Sequence, residues 1–414
     1  MIRTRPLPKA EHGTRPAGLL LRTPALGAAA AAFLLAAWFS EPRTLLLSAL
    51  LLSTALLGRL AAGLSLLGVR LERRFGTSRL FPGEKAEVFL RVENRKPLPV
   101  GWAVVEHPLP EGIRAVGPGD EGSAATRRRA LWLPARRAIR WRFLLAAERR
   151  GYYPVGPPRL TAGDPFGLHT RSRAFCGTAP ILVYPSLHPV DPALFPALQP
   201  AGDASAPRRP ALDPTRTAGV RPYAPGDGLK LFHWKATARR GTLQVRIPEA
   251  TTGLRILLVV PVETFAAPGA DFELALSAAA SLAVALCGRG CPVGLVANTR
   301  LADSGGPVCL PAAGGRERLV LLLEALAKAT ASPAGSAGEL LQRGAGGWKS
   351  GTTVVWVAGG LPDRFAEAWS ELRTRATSGL FLFAGRVEPP ADLPPDLPRR
   401  ILRTAADLAG GGVS

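Results

Sequence analysis

The distribution of apolar and polar residues separates an N-terminal hydrophobic part from a longer mixed part. Two apolar runs, Pro24–Ser40 and Leu45–Val69, are divided by the polar tripeptide Glu41-Pro42-Arg43. A helix needs about 20 mostly apolar residues to cross the hydrocarbon core. The pattern therefore predicts a membrane helical hairpin of two transmembrane helices within residues 17–69, after a basic tail at residues 1–16.

Positive charge flanks this hairpin on both sides and predicts its orientation. Basic side chains precede it at Arg3, Arg5, Lys9 and Arg15 and follow it at Arg70, Arg73 and Arg74, whereas the connecting turn has one Arg and one Glu. By the positive-inside rule both ends face the cytoplasm. The sequence predicts a multi-pass protein of the inner (cytoplasmic) membrane, with its soluble domains in the cytoplasm.

Arg59 is the exception within the second run. A charge at the bilayer centre costs about 3 kcal/mol on insertion scales, so the second helix is expected to be shifted, tilted or paired with a partner through Arg59. A cleavable signal peptide is the competing interpretation of the first run. It is not favoured, because a second apolar run follows at once and no small-residue cleavage site stands out.

Residues 70–190 contain short alternating segments broken by Gly and Pro. Ala86–Glu93 alternates polar and apolar residues, and Trp102–Glu106 and Ile139–Ala146 give further strands. Short strands without long helical periods favour an immunoglobulin-like β-sandwich. The Arg-rich stretch Arg127–Arg150 within it predicts a solvated face or an approach to anionic lipid headgroups.

The rest of the chain reads as a linker followed by an α/β domain. Residues 191–215 are rich in Pro, Ala and Gly and predict a linker or loop. From residue 251 to 390, apolar strands alternate with helical segments, which indicates a parallel sheet covered on both faces, and residues 391–414 read as a tail. The strands are predicted at Leu254–Val260, Pro292–Ala297, Val308–Pro311, Thr352–Ala358 and Leu380–Ala384, and the helices at Phe272–Arg289, Arg316–Ala329 and Arg364–Ala376. The soluble part is thus expected to be α+β overall.

Composition changes this picture only in part. Of 414 residues, 52 are Lys or Arg and 31 are Asp or Glu, which gives a formal net charge of +21. Basic charge supports phosphate affinity, but no zinc ligand set, RNP aromatic signature or basic leucine zipper accompanies it, so nucleic acid is not favoured as a partner. Cysteines stand at 176, 287, 291 and 309, and this sparse spacing predicts reduced thiols rather than a disulfide framework or a zinc site.

The segment at residues 216–250 has the most distinctive chemistry. Pro225-Gly226-Asp227 is turn chemistry. Aromatic and basic side chains crowd around it, at Arg221, Tyr223, Phe232, His233, Trp234, Lys235 and Arg239. Such side chains form cation–π and hydrogen-bonded contacts, typical of an interdomain contact as well as of a docking surface.

These blocks together resemble the bacterial family known as domain of unknown function 58. The residues that carry the resemblance are Gly151, Tyr153, Gly156 and Pro157; Asp164, Pro165, Phe166, Gly167 and Leu168; Val183 to Pro185; and Arg221, Tyr223, Gly226, Asp227, His233, Trp234, Lys235, Ala238 and Arg239. The resemblance implies a membrane hairpin, a β-rich region and a von Willebrand factor A-like (Rossmann-like) domain. It also implies partnership with MoxR-type AAA+ ATPases and transglutaminase-like membrane proteins, and it implies no established enzymatic activity.

The resemblance breaks at the metal site that many von Willebrand A domains carry. Their Asp-x-Ser-x-Ser motif follows the first strand and supplies oxygens to a hard cation. Here the aligned positions hold Pro261, Glu263 and Phe265. Glu263, Thr264 and Asp363 still offer oxygens, but the pair of hydroxyls is gone. The sequence therefore predicts no metal and no cofactor.

Three interpretations of the segment at residues 216–250 remain. Trp234 and Tyr223 are buried anchors between domains, with Asp227 accepting from Arg221 or Arg239, or they are part of a docking surface for a partner protein. A cryptic enzyme would use His233 as base and Asp227 as its orienting carboxylate, with Lys235 or Arg239 as support. No nucleophile elbow, HExxH or P-loop accompanies them, so the expectation is a non-enzymatic membrane adaptor or scaffold, with anionic lipid or nucleic-acid binding by the basic surface as an alternative.

Overall fold

A computed structural model describes residues 23–39, 42–117, 126–165, 167, 169–191, 211–224, 232–251, 254–265, 269–344, 351–373, 376–385, 393–394 and 397–409. The chain forms two compact units, residues 1–183 and 184–414. The division falls before the predicted boundary at residue 190. His188 and Asp191 already belong to the second unit, because their backbone N–H groups donate to Ser281 Oγ and to the Leu408 carbonyl.

The first unit begins with two apolar helices and continues as strands. The helices are α1 (Thr23–Trp38) and α2 (Pro42–Ser65). The strands are β1 (Val69–Phe75), β2 (Arg79–Leu80), β3 (Lys85–Asn94), β4 (Val100–Pro108), β5 (Ile113–Val116), β6 (Thr126–Leu133), β7 (Ala138–Ala147), β8 (Gly151–Val155), β9 (Arg159–Gly163), β10 (Thr170–Ala174) and β11 (Ala179–Val183). The three strands predicted from alternation correspond to β3, β4 and β7.

Two antiparallel sheets of this unit enclose one core. Their strand orders are β1-β3-β7-β5 and β10-β9-β4-β6, and a third sheet, β2-β11-β8, lies beside them. Inward side chains such as Val88, Leu145, Val105 and Leu160 are fully buried in a common cluster. Because successive side chains of a strand point to opposite faces, this alternation packs the two sheets into a β-sandwich, and its immunoglobulin-like topology stays a prediction.

The helices differ in part from the predicted hairpin. The second helix ends at Ser65 rather than at Val69, because Leu66 is buried in the sandwich core and Gly68 adopts φ +67° before β1 begins. Lys96 Nζ donates to the Leu64 and Ser65 carbonyls, at 2.5 and 2.6 Å, and so caps the end of α2. A cation at a helix C-terminus satisfies free carbonyls and interacts favourably with the negative end of the helix macrodipole. The helix is therefore tied directly to the sandwich.

The second unit contains an α/β sheet and a separate hairpin. Its elements are β12 (Ala211–Pro222), α3 (Trp234–Arg240), β13 (Gln244–Thr251), β14 (Arg255–Val260), α4 (Ala270–Gly288), β15 (Val293–Ala297), β16 (Thr299–Leu301), β17 (Val308–Ala313), α5 (Arg316–Lys328), β18 (Ala329–Pro333), α6 (Ala337–Gly344), β19 (Thr352–Ala358), α7 (Phe365–Arg373), β20 (Ala376–Ala384) and β21 (Arg399–Leu402). Short 3-10 helices lie at Val262–Thr264 and Ala405–Ala409.

The main sheet has the order β17-β15-β14-β19-β20-β21, parallel except for the edge strand β17. Numbered along the sheet's own strands, this is the doubly wound order 3-2-1-4-5-6. Every residue of β19 is buried, as expected for a strand covered on both faces. The predicted α/β alternation is confirmed, and the predicted strand at Thr352–Ala358 has the observed bounds.

Two predicted irregular segments contain strands. Residues 211–215 were expected to end the linker, yet they form the first part of β12, where the register with β13 shifts twice. Residues 399–402, expected in the tail, form β21 and pair in parallel with β20. Neither strand has a clear alternating pattern in its sequence. Each is defined by backbone hydrogen bonds to the neighbouring strand, which the local sequence does not show.

Two described helices are long and apolar enough to cross a membrane, α2 and α4. They differ in burial: 56% of the apolar window of α4 is buried within the protein, against 22% for α2. Helix α4 packs against the main sheet, whereas α2 leaves a row of leucines exposed. Thus α2 is the stronger membrane-spanning candidate, and the 16 residues of α1 extend the apolar region.

Candidate functional site

The predicted signature lies on a hairpin outside the main sheet. Strands β12 and β13 pair antiparallel, with Arg221 opposite Val245. Phe232 forms a bridge to Val245, and the backbone N–H of Tyr223 donates to the Leu243 carbonyl at 2.9 Å. Val245 and Gln244 are buried, and the backbone of β13 around them holds the segments that contain Tyr223 and Phe232.

Three aromatic rings form a row on this support, which we call the aromatic row: Tyr223, Phe232 and Trp234. Ring centroids lie 5.6 Å apart between Tyr223 and Phe232 and 5.5 Å apart between Phe232 and Trp234. Such tilted contacts are favourable geometries for aromatic pairs. Trp234 is 68% exposed and Tyr223 is 40% exposed, so neither ring is a buried anchor within this unit.

Helix α3 begins and ends with side-chain and glycine caps. His233 is the N-cap, and its Nδ1 accepts from the Ala236 N–H at 3.1 Å. In the neutral ring Nδ1 is then the acceptor and Nε2 carries the proton. A carboxylate could then orient this ring only through Nε2, and Asp227, its partner in the alternative enzyme interpretation, lies outside the described residues.

Basic side chains surround the aromatic row. Lys235 and Arg239 on α3 and Arg221 at the end of β12 are exposed. Gly241, with φ +69°, ends α3, and its N–H donates to the Thr237 carbonyl. Gly226 and Asp227 lie outside the described residues, and so does the expected pairing of Asp227 with arginine.

A second cluster occupies the carboxyl ends of the main sheet's strands, where open α/β sheets bind their ligands. We call it the strand-end brace: Glu263, Thr264 and Asn298. Glu263 Oε1 accepts from the N–H of Ala337 at 3.1 Å, and its Oε2 accepts from Asn298 Nδ2. Asn298 Oδ1 accepts from the Val262 N–H at 2.6 Å. Both carboxylate oxygens of Glu263 are therefore engaged in joining loops.

Thr264 extends this brace to the central strand β19. Its hydroxyl donates to the Pro261 carbonyl at 2.7 Å and accepts from the Gly359 N–H at 3.1 Å. The Phe265 ring lies close to Gly359, since a Cβ built there would stand 2.8 Å from it, and contacts Phe272 edge-to-face. Among the described residues, no group of three or more His, Cys, Asp or Glu is placed to hold a metal ion.

The signature residues of the first unit are built into its turns. The Tyr153 hydroxyl donates to the Arg149 carbonyl at 2.9 Å and so fixes the turn before β8. Its ring covers Gly112 and Gly151, where an added Cβ would stand 2.7 and 3.1 Å from ring carbons. Both glycines have positive φ. Gly151 and Tyr153 thus form one structural corner.

The Asp164-Pro165 turn between β9 and β10 is equally closed. Asp164 is fully buried, and its Oδ1 accepts from the His169 N–H at 2.6 Å. Its carbonyl accepts from Trp102 Nε1 at 2.7 Å and from the Gly167 N–H at 3.1 Å. Pro165 is exposed at this turn, and Phe166 lies outside the described residues.

Arg73 and His107 form a partly buried contact, with 3.5 Å between Arg73 Nη1 and His107 Nε2. Arg73 donates to the Gly156 carbonyl at 2.5 Å and to the Gly177 carbonyl at 2.6 Å. His107 is fully buried, and burial, followed by the nearby Arg73 charge, lowers its pKa to about 4. His107 is therefore neutral at pH 7 and acts as part of the core.

Sequence reasoning did not single out Asn298 or Lys96. A polar residue directly after the buried strand β15 was the available signal for Asn298. For Lys96 no signal existed, because its partners are backbone carbonyls about thirty residues earlier in the chain. Phe232 was noted as aromatic, but its position between Tyr223 and Trp234 depends on the bridge to β13.

The comparisons with known proteins agree with the predicted family. Residues 219–346 match the family described as "Protein of unknown function DUF58". "Uncharacterized protein YeaD" of Bacillus subtilis (strain 168) is 26% identical over 223 residues, which cover 54% of this chain and 54% of that protein. The chain thus matches about half the length of this curated relative.

Two solved structures are each similar to about a quarter of the chain. Native alpha-2-macroglobulin from Escherichia coli is 15% identical, and the match covers 28% of this chain and 24% of the macroglobulin chain, with a TM-score of 0.23. A non-cellulosomal cohesin from the archaeon Archaeoglobus fulgidus is 8% identical, covers 28% of this chain and 91% of its own, and has a TM-score of 0.21.

Proposed function

We propose that this chain, whose residues 219–346 match the DUF58 family, is a membrane-attached adaptor that docks a MoxR-type AAA+ ATPase. In this proposal α1 and α2 hold it in the inner membrane as a hairpin, both units face the cytoplasm, and the ATPase acts on envelope or membrane complexes held there. A transglutaminase-like membrane protein is the second expected partner. The adaptor itself performs no chemistry.

The aromatic row is the observation that carries the proposal. Its outer ring, Trp234, exposes 68% of its surface, although a ring of this size gains most from burial. Aromatic residues and Arg are the side chains that most often dominate the energy of protein interfaces. Lys235 and Arg239 would meet acidic groups around an apolar pocket in the partner.

The second unit suits a binding module better than an enzyme. We assign it to a von Willebrand A-like architecture, on the basis of its strand order and the family resemblance. In such a module a metal can join the loops at the strand ends. Here Glu263, Thr264 and Asn298 make comparable connections by hydrogen bonds, and Phe265 covers the central glycine. Partner binding by this chain would then need no metal.

The test is binding of the full chain, in lipid nanodiscs, to the MoxR-type ATPase from the same genome. Trp234→Ala should raise the dissociation constant about 30-fold, since an aromatic residue at the centre of an interface contributes about 2 kcal/mol to binding. Biolayer interferometry would measure it. Lys235→Ala should mainly slow association and reduce its salt dependence.

Trp132→Ala is the matched control, because Trp132 on β6 is 61% exposed. It should leave the dissociation constant within about twofold of the unchanged chain, the range of a surface residue outside the interface. Equal dissociation constants for the Trp234→Ala and Trp132→Ala chains, whether both are unchanged or both are raised, would contradict the docking surface.

A further inference from the structure

Helix α2 has two parts with different surroundings in the first unit. Most leucines between Pro42 and Leu57 are exposed, with Leu46, Leu50 and Leu57 each more than 60% exposed. From Gly58 onward it lies on the β9–β10 hairpin. A Cβ on Gly58 would stand 3.3 Å from the His169 ring, and a Cβ on Gly63 would stand 3.9 Å from the Arg171 guanidinium.

The hairpin sets a limit on how far α2 is immersed. Edge strands and polar loops do not occur against lipid in the hydrocarbon core, because their backbone groups have no water to bind. β10 is an edge strand of its sheet and exposes Arg171 and Arg173. The part of α2 that contacts it therefore lies outside the hydrocarbon core.

The remaining apolar lengths of the two helices agree with this limit. At about 1.5 Å per residue, both α1 and the Pro42–Leu57 part of α2 are roughly 24 Å long. The hydrocarbon core is about 30 Å thick, and a shorter span is accommodated by thinning and by long side chains at its end. Trp38 and Phe39, at the opposite end, are 83% and 69% exposed, and aromatic rings favour the interface.

Arg59 then lies at the headgroup level rather than at the bilayer centre. It is exposed and stands one helical turn before Gly63, on the same side of α2, and the Arg171 guanidinium lies over Gly63. Among the described residues, ion pairs are formed by other arginines of this unit, such as Arg91, Arg114 and Arg142. Two guanidiniums are thus available beside the β9–β10 hairpin, although Leu60 and Leu64 further along α2 are still 55% and 47% exposed.

We propose that Arg59 and Arg171 together bind the phosphate of an anionic phospholipid headgroup at the point where α2 leaves the bilayer. The inference rests on the membrane attachment in the proposed function. Guanidinium groups bind phosphate oxygens through two parallel hydrogen bonds. The occupant is a lipid because the leucines of α2 continue directly from the site and would contact its acyl chains.

The first experiment measures depth in nanodiscs. In a full chain whose four cysteines are changed to serine, a single cysteine at Leu51, Arg59 or Leu67 is labelled with a nitroxide spin label. Electron paramagnetic resonance then measures how accessible each label is to oxygen and to a water-soluble nickel complex. Leu51 should be in hydrocarbon, Arg59 at the boundary and Leu67 in water. Arg59 as deep as Leu51 overturns the lipid site alone. Leu51 in water overturns the membrane attachment itself.

The second experiment measures lipid retention. The full chain is released from nanodiscs of phosphatidylglycerol and phosphatidylcholine and examined by native mass spectrometry. The double variant Arg59→Gln/Arg171→Gln should retain phosphatidylglycerol about 30-fold less, since each of the two basic residues contributes about a fivefold gain in binding at an anionic surface. Added inorganic phosphate should not displace the lipid, and displacement would contradict a lipid-specific site.

The matched control uses two exposed arginines of the basic stretch on β7 and before it, Arg137→Gln/Arg140→Gln. This pair removes the same charge and should leave phosphatidylglycerol retention unchanged. Equal losses in both double variants would show attraction by total charge and overturn the assigned site. Unchanged retention in Arg59→Gln/Arg171→Gln would also overturn it.

Discussion

The two units use their signature residues in opposite ways. In the first unit, Tyr153 and Asp164 make their hydrogen bonds within the domain, to the backbone of their own turns. In the second unit, Trp234 and Tyr223 project exposed rings from a hairpin outside the main sheet. Motifs that look equally distinctive in sequence can therefore differ in burial and in hydrogen-bond partners, which the sequence does not show.

The largest effect should come from Gly163→Ala in the first unit. A Cβ there would overlap the His169 carbonyl oxygen and approach the Trp102 ring to 2.8 Å. Overpacking of this kind costs about 3 kcal/mol where backbone cannot move away. The urea midpoint of the full chain in detergent, read from the fluorine NMR resonance of fluorotryptophan at Trp102, should fall accordingly.

Gly167→Ala is the matched change in the same turn. Gly167 has φ +72° but no neighbour within 4 Å of an added Cβ. It should cost only about 1 kcal/mol, the penalty of a left-handed conformation. Equal losses for the two variants would show that the turn is not closed as described.

Acidity should destabilise the first unit through His107. The pKa of His107 is about 4 in the folded protein, against an ordinary value of 6.5. Below pH 6.5 the unfolded chain therefore binds a proton at His107 that the folded protein does not bind. The stabilisation is complete above pH 6.5 and is lost as the pH falls towards 4, with about 2 kcal/mol lost between pH 8 and pH 5. Urea midpoints read at fluorotryptophan Trp141 would measure it.

His107→Phe separates this titration from other acid effects. The variant fills the same buried position without a proton-binding group, so its stability should change less over the same pH range. A slope as steep as that of the unchanged chain would assign the acid sensitivity to other residues.

Tyr153→Phe should have a smaller effect. It removes only the hydroxyl that donates to the Arg149 carbonyl, and the ring still covers Gly112. The loss of one such hydrogen bond costs about 1 kcal/mol. The urea midpoint of the first unit should fall by that amount, whereas partner binding by the second unit should stay unchanged.

Trp234→Ala should have the smallest effect on stability. A largely exposed residue changes the free energy of unfolding by about 0.5 kcal/mol or less. The urea midpoint, read at fluorotryptophan Trp356 in the core of the second unit, should hardly move. A drop as large as that for Gly163→Ala would mean that the ring has a structural role, and the contrast between the units would disappear.

The main strands were predictable because their patterns are local. The alternation of Ala86–Glu93 and the apolar run Thr352–Ala358 correspond directly to β3 and β19. The start of β12 and the strand β21 were missed, since backbone pairing with a distant neighbour defines them. The end of α2 was placed too late, because an apolar residue entering lipid and one entering a sandwich core look alike in sequence.

The sequence by itself determined the apolar helices, the β-rich and α/β regions and the resemblance to the DUF58 family, which a match over residues 219–346 supports. Only the tertiary structure decided that Glu263 joins loops, that Tyr153 closes a corner and that Trp234 is exposed. The physical reason is that composition and periodicity act over a few residues. Burial and hydrogen-bond partners depend on segments that folding brings together from far along the chain.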